Sequence, residues 1–507
     1  MSKQNNDAVK SEVVEQAKSR NTASGRRKRS GSRKPRTAKT GDGSKRSTFP
    51  SAATNHKFND VSWYAKNPQM LADAASFSYN TPLGTKVPWH KVAIVPTGAS
   101  GTMVWTDAKE VPGLMELEFI PGIGVSQDST SPVNLAAQNI YSYVRYMNSG
   151  AKNYDQADLM LYLLAMDNIY MMWNWLKRIY GYAQQYSQYN RYMPRMYAWS
   201  DNVQFDSLLG NLAEFRFRLN SLASQISSFC VPAVMPLFIR HSWLVSNIYK
   251  DSESLKAQQY MFRPMGYYSY DETGSEYGGR LRWHYLNDNI SNAYTINQYL
   301  DILKTMVDAV GYSEDIGVMS GDILKAYGQE RLFKISPVDE SYIVQPVYNE
   351  EVLNQIHNSN LVEAPKTADT LHITQDPTSG FLIFNPEVGD VTANTTDGVM
   401  INMPWDNVTP ANTMVGTRLT ALIKVMDDNK VRFSALGSEW VCRRKIWTFD
   451  RDAGDSAYQS FNFPNSILVD GSEFTDTKNH LARIGLISNF DWHPLMSLWI
   501  KREDGSG

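Results

Sequence analysis

The sequence predicts a mainly α-helical body, a smaller β- and loop-rich domain, and a disordered basic N-terminal arm. Three observations carry this reading. Apolar residues recur at helical spacing through much of residues 131–310, that periodicity fades past about residue 340, and cations concentrate at the amino end.

The arm comes first. Residues 1–50 hold fourteen Lys/Arg against four Asp/Glu, a net charge of +10, with no Trp or Tyr and one Phe, Phe49. The other 457 residues hold 36 basic and 48 acidic side chains, a net of −12, so the formal charge of −2 conceals a dipolar chain. A run such as GRRKRSGSRKPR buries too little apolar surface to offset the entropy of ordering it. Its cations Arg20, Arg26, Arg27, Lys28, Arg29, Arg33, Lys34, Arg36, Lys39, Lys45 and Arg46 are the candidate RNA-binding residues. Phosphate neutralisation with counterion release needs charge but no folded pocket, and it reads no base sequence. A solubilising tail or a nuclear-import signal has the same composition. The N-terminus is polar, with no secretory leader, which reads as intracellular synthesis.

The body follows in order. A Pro/Gly-punctuated stretch, 58–131, carries short apolar pieces at Val92–Val95 and Leu114–Ile120. Ser131-Pro132 starts a helix with Val133, Ala137, Ile140, Val144 and Met147 on one stripe, and Asn148-Ser149-Gly150 ends it. A longer helix spans about Tyr154 to Tyr180. Its apolar runs Leu159–Met166 and Ile169–Trp173 are interrupted by Asp167 and Asn168, which favours a buried core helix over a membrane span. Leu208, Leu212, Phe215, Leu219, Leu222 and Ile226 predict a third helix, stopped by Pro232 and Pro236. Ile296, Leu300, Leu303, Val307 and Val310 predict a fourth, closed by Gly311.

Beyond a last helical piece at Glu350–Ile356, short β-like runs take over: Leu371–Thr374, Phe381–Phe384 and Val399–Met403. Thr417–Met426 and Val431–Leu436 flank Asp427-Asp428-Asn429-Lys430 and predict a hairpin. Residues 339–400 hold ten Asp/Glu against one Lys (Lys366) and no Arg, an anionic, loop-rich surface. Leu481–Ile500, with Trp492 and Trp499, is apolar again. The expected organisation is an arm over 1–56, a helical domain over 57–340, an acidic β- and loop-rich domain over 341–470, and a segment over 471–507 returning to the first.

Catalytic signatures are lacking. There is no GxxxxGK[ST] loop, HExxH or GxSxG, and Cys230 and Cys442 stand 212 residues apart without metal-ligand spacing. No catalytic residue, metal ligand or cofactor is assigned. Tyrosine is the second strong signal. Residues 141–199 contain twelve, and RIYGYAQQYSQYNRYMPRMYAW interleaves them with Arg178, Arg191 and Arg195. Tyr186, Tyr189, Arg191, Tyr192 and Arg195 are the candidate protein-interface residues, since Tyr and Arg combine large buried area with a hydrogen-bonding end. Stacking on single-stranded bases, and a helical core with hydroxyls at its rim, fit the same composition.

FNDVSWYAKNPQML (58–71), PGLMELEFIPGIGVSQDSTSPVNLAAQNIYSYVRYMNSGAKNYDQADLMLYLLAMDNIY (112–170) and YSQYNRYMPR (186–195) resemble the capsid protein of picobirnaviruses, which package double-stranded RNA. The resemblance is close over roughly 55–220 and general beyond. It implies a helical shell domain with a smaller projecting domain, dimers closing an icosahedral shell, and loss of an N-terminal peptide by self-cleavage. It also implies residence in the virion after assembly in the host cytoplasm, with the chain itself and viral RNA as partners. Family arms vary in length, so no cleavage bond carries over. An RNA-coating nucleoprotein without a closed shell is the alternative, against which the −12 body argues. An enzyme with a basic targeting tail is a third possibility.

Overall fold

The structure, a computed structural model, describes residues 113–149, 153–187, 190, 192–252, 257–272, 278–389, 401–426, 428, 430–449, 458–462 and 492. It adds the backbone of the strands at 86–87, 92–97, 100–105, 109–110, 466–469 and 497–500. Helices dominate, as the sequence predicts, and they pack on a six-stranded sheet whose central strand comes early in the chain.

That strand, β1 (Leu114–Pro121), reads LMELEFIP and is buried along its whole length. It is followed by α1 (Pro132–Asn148), with proline in the first turn and Ser149 at φ 46° ending the helix. Val133, Ala137 and Val144 face inward as expected, but Asn148 replaces Met147 in the interior. Asn148 donates to the Val144 and Asp322 carbonyls, so its amide nitrogen is satisfied there while Met147 stays 42% exposed.

Helix α2 (Gln156–Ala183) is the core of the body, with 24 of its 28 residues buried. Its start is fixed reciprocally: Asp155 Oδ1 accepts from the Ala157 and Asp158 amides, and Asp158 accepts from the Asp155 amide. The two polar residues that interrupt its apolar run are both engaged. Asp167 meets the His241 ring at 2.6 Å, and Asn168 accepts from the Tyr268 amide at 3.2 Å. Among the described residues no helix is long and apolar enough to cross a membrane.

Next come α3 (Tyr192–Ser200), α4 (Phe205–Gly210), α5 (Leu212–Ile226) and α6 (Pro236–Ser246). The predicted third helix is therefore two helices, broken at Asn211, whose φ of −124° leaves the α region. The stripe survives the break: Leu208, Phe215, Leu219, Leu222 and Ile226 are all buried. Strands β2 (Tyr249–Lys250), β3 (Gln259–Pro264), β4 (Gly266–Asp271) and β5 (Arg280–Tyr285) precede α7 (Ile296–Gly311). Helix α7 buries all five predicted residues behind a Thr295/Gln298 capping box. Helix α8 (Glu314–Tyr327) completes this part.

The later segment contributes β6 (Val347–Tyr348), α9 (Glu350–Asn358), α10 (Pro410–Gly416) and the predicted hairpin, β7 (Ala421–Val425) with β8 (Val431–Leu436). Its register pairs Lys424 with Arg432, and the Met426 amide closes the turn on Lys430. Leu371–Thr374 and Phe381–Phe384 shorten to a two-residue ladder, 374–375 with 382–383, and 401–403 is not a strand. Strands β9 (Glu439–Phe449) and β10 (Tyr458–Asn462) then enter the sheet, whose order is β6-β2-β3-β1-β9-β10.

This order bears on the expected domain boundary at 340. Strand β9 runs antiparallel along β1, Leu114 opposite Trp447 and Glu118 opposite Arg443, so part of 341–470 builds the body's own sheet. Strand β6 joins the opposite edge in parallel with β2. The acidic, loop-rich residues lie between these two insertions. Of the expected C-terminal return, Trp492 packs partly buried against the core and 497–500 pairs in parallel with 466–469; the rest lies outside the described residues.

Gly181 near the end of α2 marks a tight crossing. The chain at 342–344 passes so close that a Cβ there would meet Val344 Cγ2 at 2.5 Å and the Val344 amide nitrogen at 2.9 Å. Alanine is favoured over glycine in a helix by about 1 kcal/mol. Gly181→Ala is nevertheless expected to destabilise by about 1–3 kcal/mol through overpacking. Urea unfolding measures it, and a more stable variant would show that 342–344 yields.

Candidate assembly interface

The Tyr/Arg band divides between interior and surface. Tyr162, Tyr170, Tyr180, Tyr182 and Tyr197 are fully buried core residues. Three of their hydroxyls find carbonyl or amide partners: Tyr162 donates to Cys230 O, Tyr180 to Glu340 O, and Tyr197 to Gln259 Oε1. For these rings the core reading holds.

The candidate interface residues lie at the rim. Tyr186 is 37% exposed, its ring edge-on to Phe205 at 5.5 Å. Arg195 sits over the other side of this arrangement, 5.3 Å from the Phe205 ring centroid and 3.1 Å from Asp206. Tyr192 is half-buried, and its carbonyl accepts from the Tyr458 hydroxyl. Tyr458 in turn stacks on Trp199 at 6.1 Å. Tyr186, Arg195, Phe205 and Asp206 thus form one aromatic–cation corner beside α3. Tyr189 and Arg191 lie outside the described residues, as do all eleven arm cations.

Helix α3 is held on the sheet by charges that the sequence reading did not single out. In β1, Glu116 and Glu118 alternate with Met115, Leu117 and Phe119, so both carboxylates point to one sheet face, and both are fully buried. The register supplies cations on either side: Glu118 lies opposite Arg263 on β3 and Arg443 on β9, and Glu116 opposite Lys445. Arg263 Nη1 and Lys445 Nζ each lie 2.7 Å from Glu118 Oε1, and Arg443 Nε lies 2.6 Å from Oε2. Glu116 accepts from the Trp447 indole at 2.5 Å and from Ser200, the last residue of α3, at 3.0 Å. A second buried pair, Arg178 with Asp201 at 2.7 Å, ties α2 to the turn after α3, and Trp175 donates to the same carboxylate. Two Glu at a spacing of two inside an apolar run were the available sequence signal.

The two β1 carboxylates differ in character. Burial would raise the pKa of Glu118, but Arg263, Lys445 and Arg443 outweigh it and hold the group down to about 2. Glu116 is raised, because burial and the neighbouring Glu118 exceed what Lys445 and Arg263 return. A third cluster joins α2, α6 and the start of β9. His241 lies between Asp167 (2.6 Å) and Glu439 (3.8 Å), and Arg240 Nε reaches Glu439 at 3.1 Å. Burial opposes the imidazolium charge, yet Asp167 and Glu439 win and raise its pKa.

Comparison with known proteins gives a consistent picture. A family model described as picobirnavirus capsid protein matches residues 63–497. The chain is 30% identical over 497 residues to the capsid protein precursor of a human picobirnavirus (strain Human/Thailand/Hy005102/-), covering 92% of this chain and 87% of that one. Its fold matches the X-ray crystallographic structure of the picobirnavirus capsid with a TM-score of 0.71 at 23% identity, over 87% of this chain and 90% of the other.

The His241 cluster makes stability pH-dependent in a defined sense. A folded pKa raised above the ordinary 6.5 contributes stability that is fully present below about pH 6.5 and lost as pH rises through the folded value. His241→Ala, which strands Asp167, is expected to cost about 3–5 kcal/mol at pH 6 and distinctly less at pH 9. Chemical unfolding of both proteins at the two pH values checks this; an equal cost at both would remove the buried imidazolium.

Proposed function

The chain belongs to the picobirnavirus capsid protein family, and from that premise we propose that its copies associate as dimers, close into an icosahedral shell and hold the viral RNA through the basic arm. As a capsid protein it is a structural component of the virion. The charge partition carries the finer reading: +10 on residues 1–50 against −12 on the rest. The body's deep cations are occupied within the chain, Arg178 by Asp201, Arg240 by Glu439, and Arg263 and Lys445 by Glu118. Phosphate therefore finds its counter-charge on the arm, and the body avoids promiscuous binding of nucleic acid.

The remaining parts take their places around that division. Every described carboxylate from Asp339 to Glu387 is exposed or half-buried, which suits an outward, projecting position for the loop-rich part of 341–470. The corner of Tyr186, Arg195 and Phe205 serves as a subunit contact, together with Tyr192 and with Tyr189 and Arg191, their neighbours in the sequence. The human relative is named a precursor. By analogy this chain loses its arm by a single self-cleavage between arm and body, within or just before residues 47–67, where Asn55, Asn59 and Asn67 lie.

Two measurements test this reading. A protein beginning at residue 57 should still assemble but package far less RNA, and the isolated arm should lose roughly a thousandfold or more in RNA affinity between 50 and 200 mM salt. Normal RNA content in the truncated particles would defeat the packaging role. Intact-mass spectrometry of mature, RNA-filled particles should find an N-terminus inside or just before the 47–67 window; a chain retaining Met1 counts against processing.

A further inference from the structure

Among the described residues, one face of α8 lies exposed. Ile316, Met319, Ser320, Ile323 and Ala326 are buried against the body, whereas Glu314, Asp315, Gly317, Val318, Gly321, Leu324 and Lys325 point outward. Val318 is 51% exposed and Leu324 36%. The apolar character continues on both sides. Tyr312, just ahead of α8, is 83% exposed, and on α1 Tyr146 is 81% exposed beside Met147. Helix α1 lies directly against α8, with the Tyr143 hydroxyl on the Ala326 carbonyl and the Tyr143 and Tyr327 rings 5.0 Å apart. Large apolar side chains exposed on a helix and on the elements next to it mark a candidate interaction surface.

We propose that this face is a twofold contact between two copies of the chain, with their α8 helices crossing antiparallel near Met319 and Ser320. The proposal rests on the assembly reading above and gives that assembly a surface. Charge selects the occupant. Helix α8 carries Glu314 and Asp315 in its first turn and Lys325 in its last. Antiparallel crossing sets Lys325 of each copy against Glu314 and Asp315 of the other, and these pairs centre on the middle of the helix. A parallel crossing would set like charges together. A partner of a single charge sign would match only one end, whereas a second copy matches both, as a self-complementary interface must.

Two glycines agree with that crossing point. A Cβ at Gly317 or Gly321 would meet nothing within 4 Å, so among the described residues nothing requires glycine there, which a helix interior disfavours. Gly181, by contrast, is demanded by its own chain. Positions 317 and 321 share the exposed face and flank its centre, where small residues let two helix backbones approach closely.

The test uses the full chain, with dimer dissociation measured by analytical ultracentrifugation, particles counted by negative-stain microscopy, and melting temperature as the control for folding. Lys325→Glu should weaken the dimer at least tenfold with little change in melting. Adding Glu314→Lys and Asp315→Lys to it should restore affinity to within about threefold of wild type. Gly317→Ala with Gly321→Ala should raise the melting temperature of unassembled protein while weakening the dimer tenfold, a split that a purely internal role does not produce. Unchanged dimer affinity in Lys325→Glu or in the double alanine variant overturns the proposal, and so does a charge reversal that fails to rescue. If wild-type protein forms dimers but no shells, the assembly reading fails instead, and the two failures are separately visible.

Discussion

The structure depends on two carboxylates buried in its central strand. Glu116 and Glu118 stand among apolar neighbours in β1 and are tolerated only because the adjoining strands bring Arg263, Arg443 and Lys445 within ion-pair distance. Such pairs add little net stability over apolar packing, but removing one partner leaves an uncompensated buried charge at a cost of about 3–5 kcal/mol. Their effect is on register. A one-residue slip of β9 would carry its cations to the opposite sheet face and strand both carboxylates. The bulge between Val441 and Arg443 resets the alternation so that Arg443 and Lys445 meet Glu118 and Glu116. Ser200 and Asp201 extend the same network into the helical layer, so α3, and with it the aromatic corner at the rim, inherits its position from β1.

How much of this was legible in the sequence follows from the range of the forces involved. Helices α2 and α7 and the hairpin β7–β8 were readable because caps, periodicity and turn residues act within a few positions. The third predicted helix was right in its buried stripe and wrong in its continuity, since the break at Asn211 leaves the spacing nearly undisturbed. Met147 was placed inside by periodicity, but Asn148 took the site because two carbonyls there accept its amide. The sheet was not legible. Strands β1, β3 and β9 lie far apart in the chain, and only their cross-strand charges show that they belong together.

The partition of charge between residues 1–50 and the rest was legible because composition needs no geometry. The rim residues were less so, because tyrosine fills a core and furnishes a contact with equal ease, and spacing does not separate Tyr182, fully buried, from Tyr186, at the surface. The described carboxylates of the acidic stretch are exposed or half-buried, while β6 and β9, both inside the expected 341–470 domain, join the body's sheet through pairings that no local signal announces.

That closure has a consequence for the chain while it is being made. Glu118 and Lys445 are 327 residues apart, so the central strand leaves the ribosome long before its partner exists. At about 5–20 residues per second the wait is on the order of a quarter of a minute to a minute. Until then β1 has an open edge and uncompensated carboxylates on the β9 side, and the sheet that seats α3 stays incomplete. A nascent chain thus carries an unfinished central sheet until β9 has been made. Pairing over so long a stretch ties completion of the body's core to the arrival of a single distant strand.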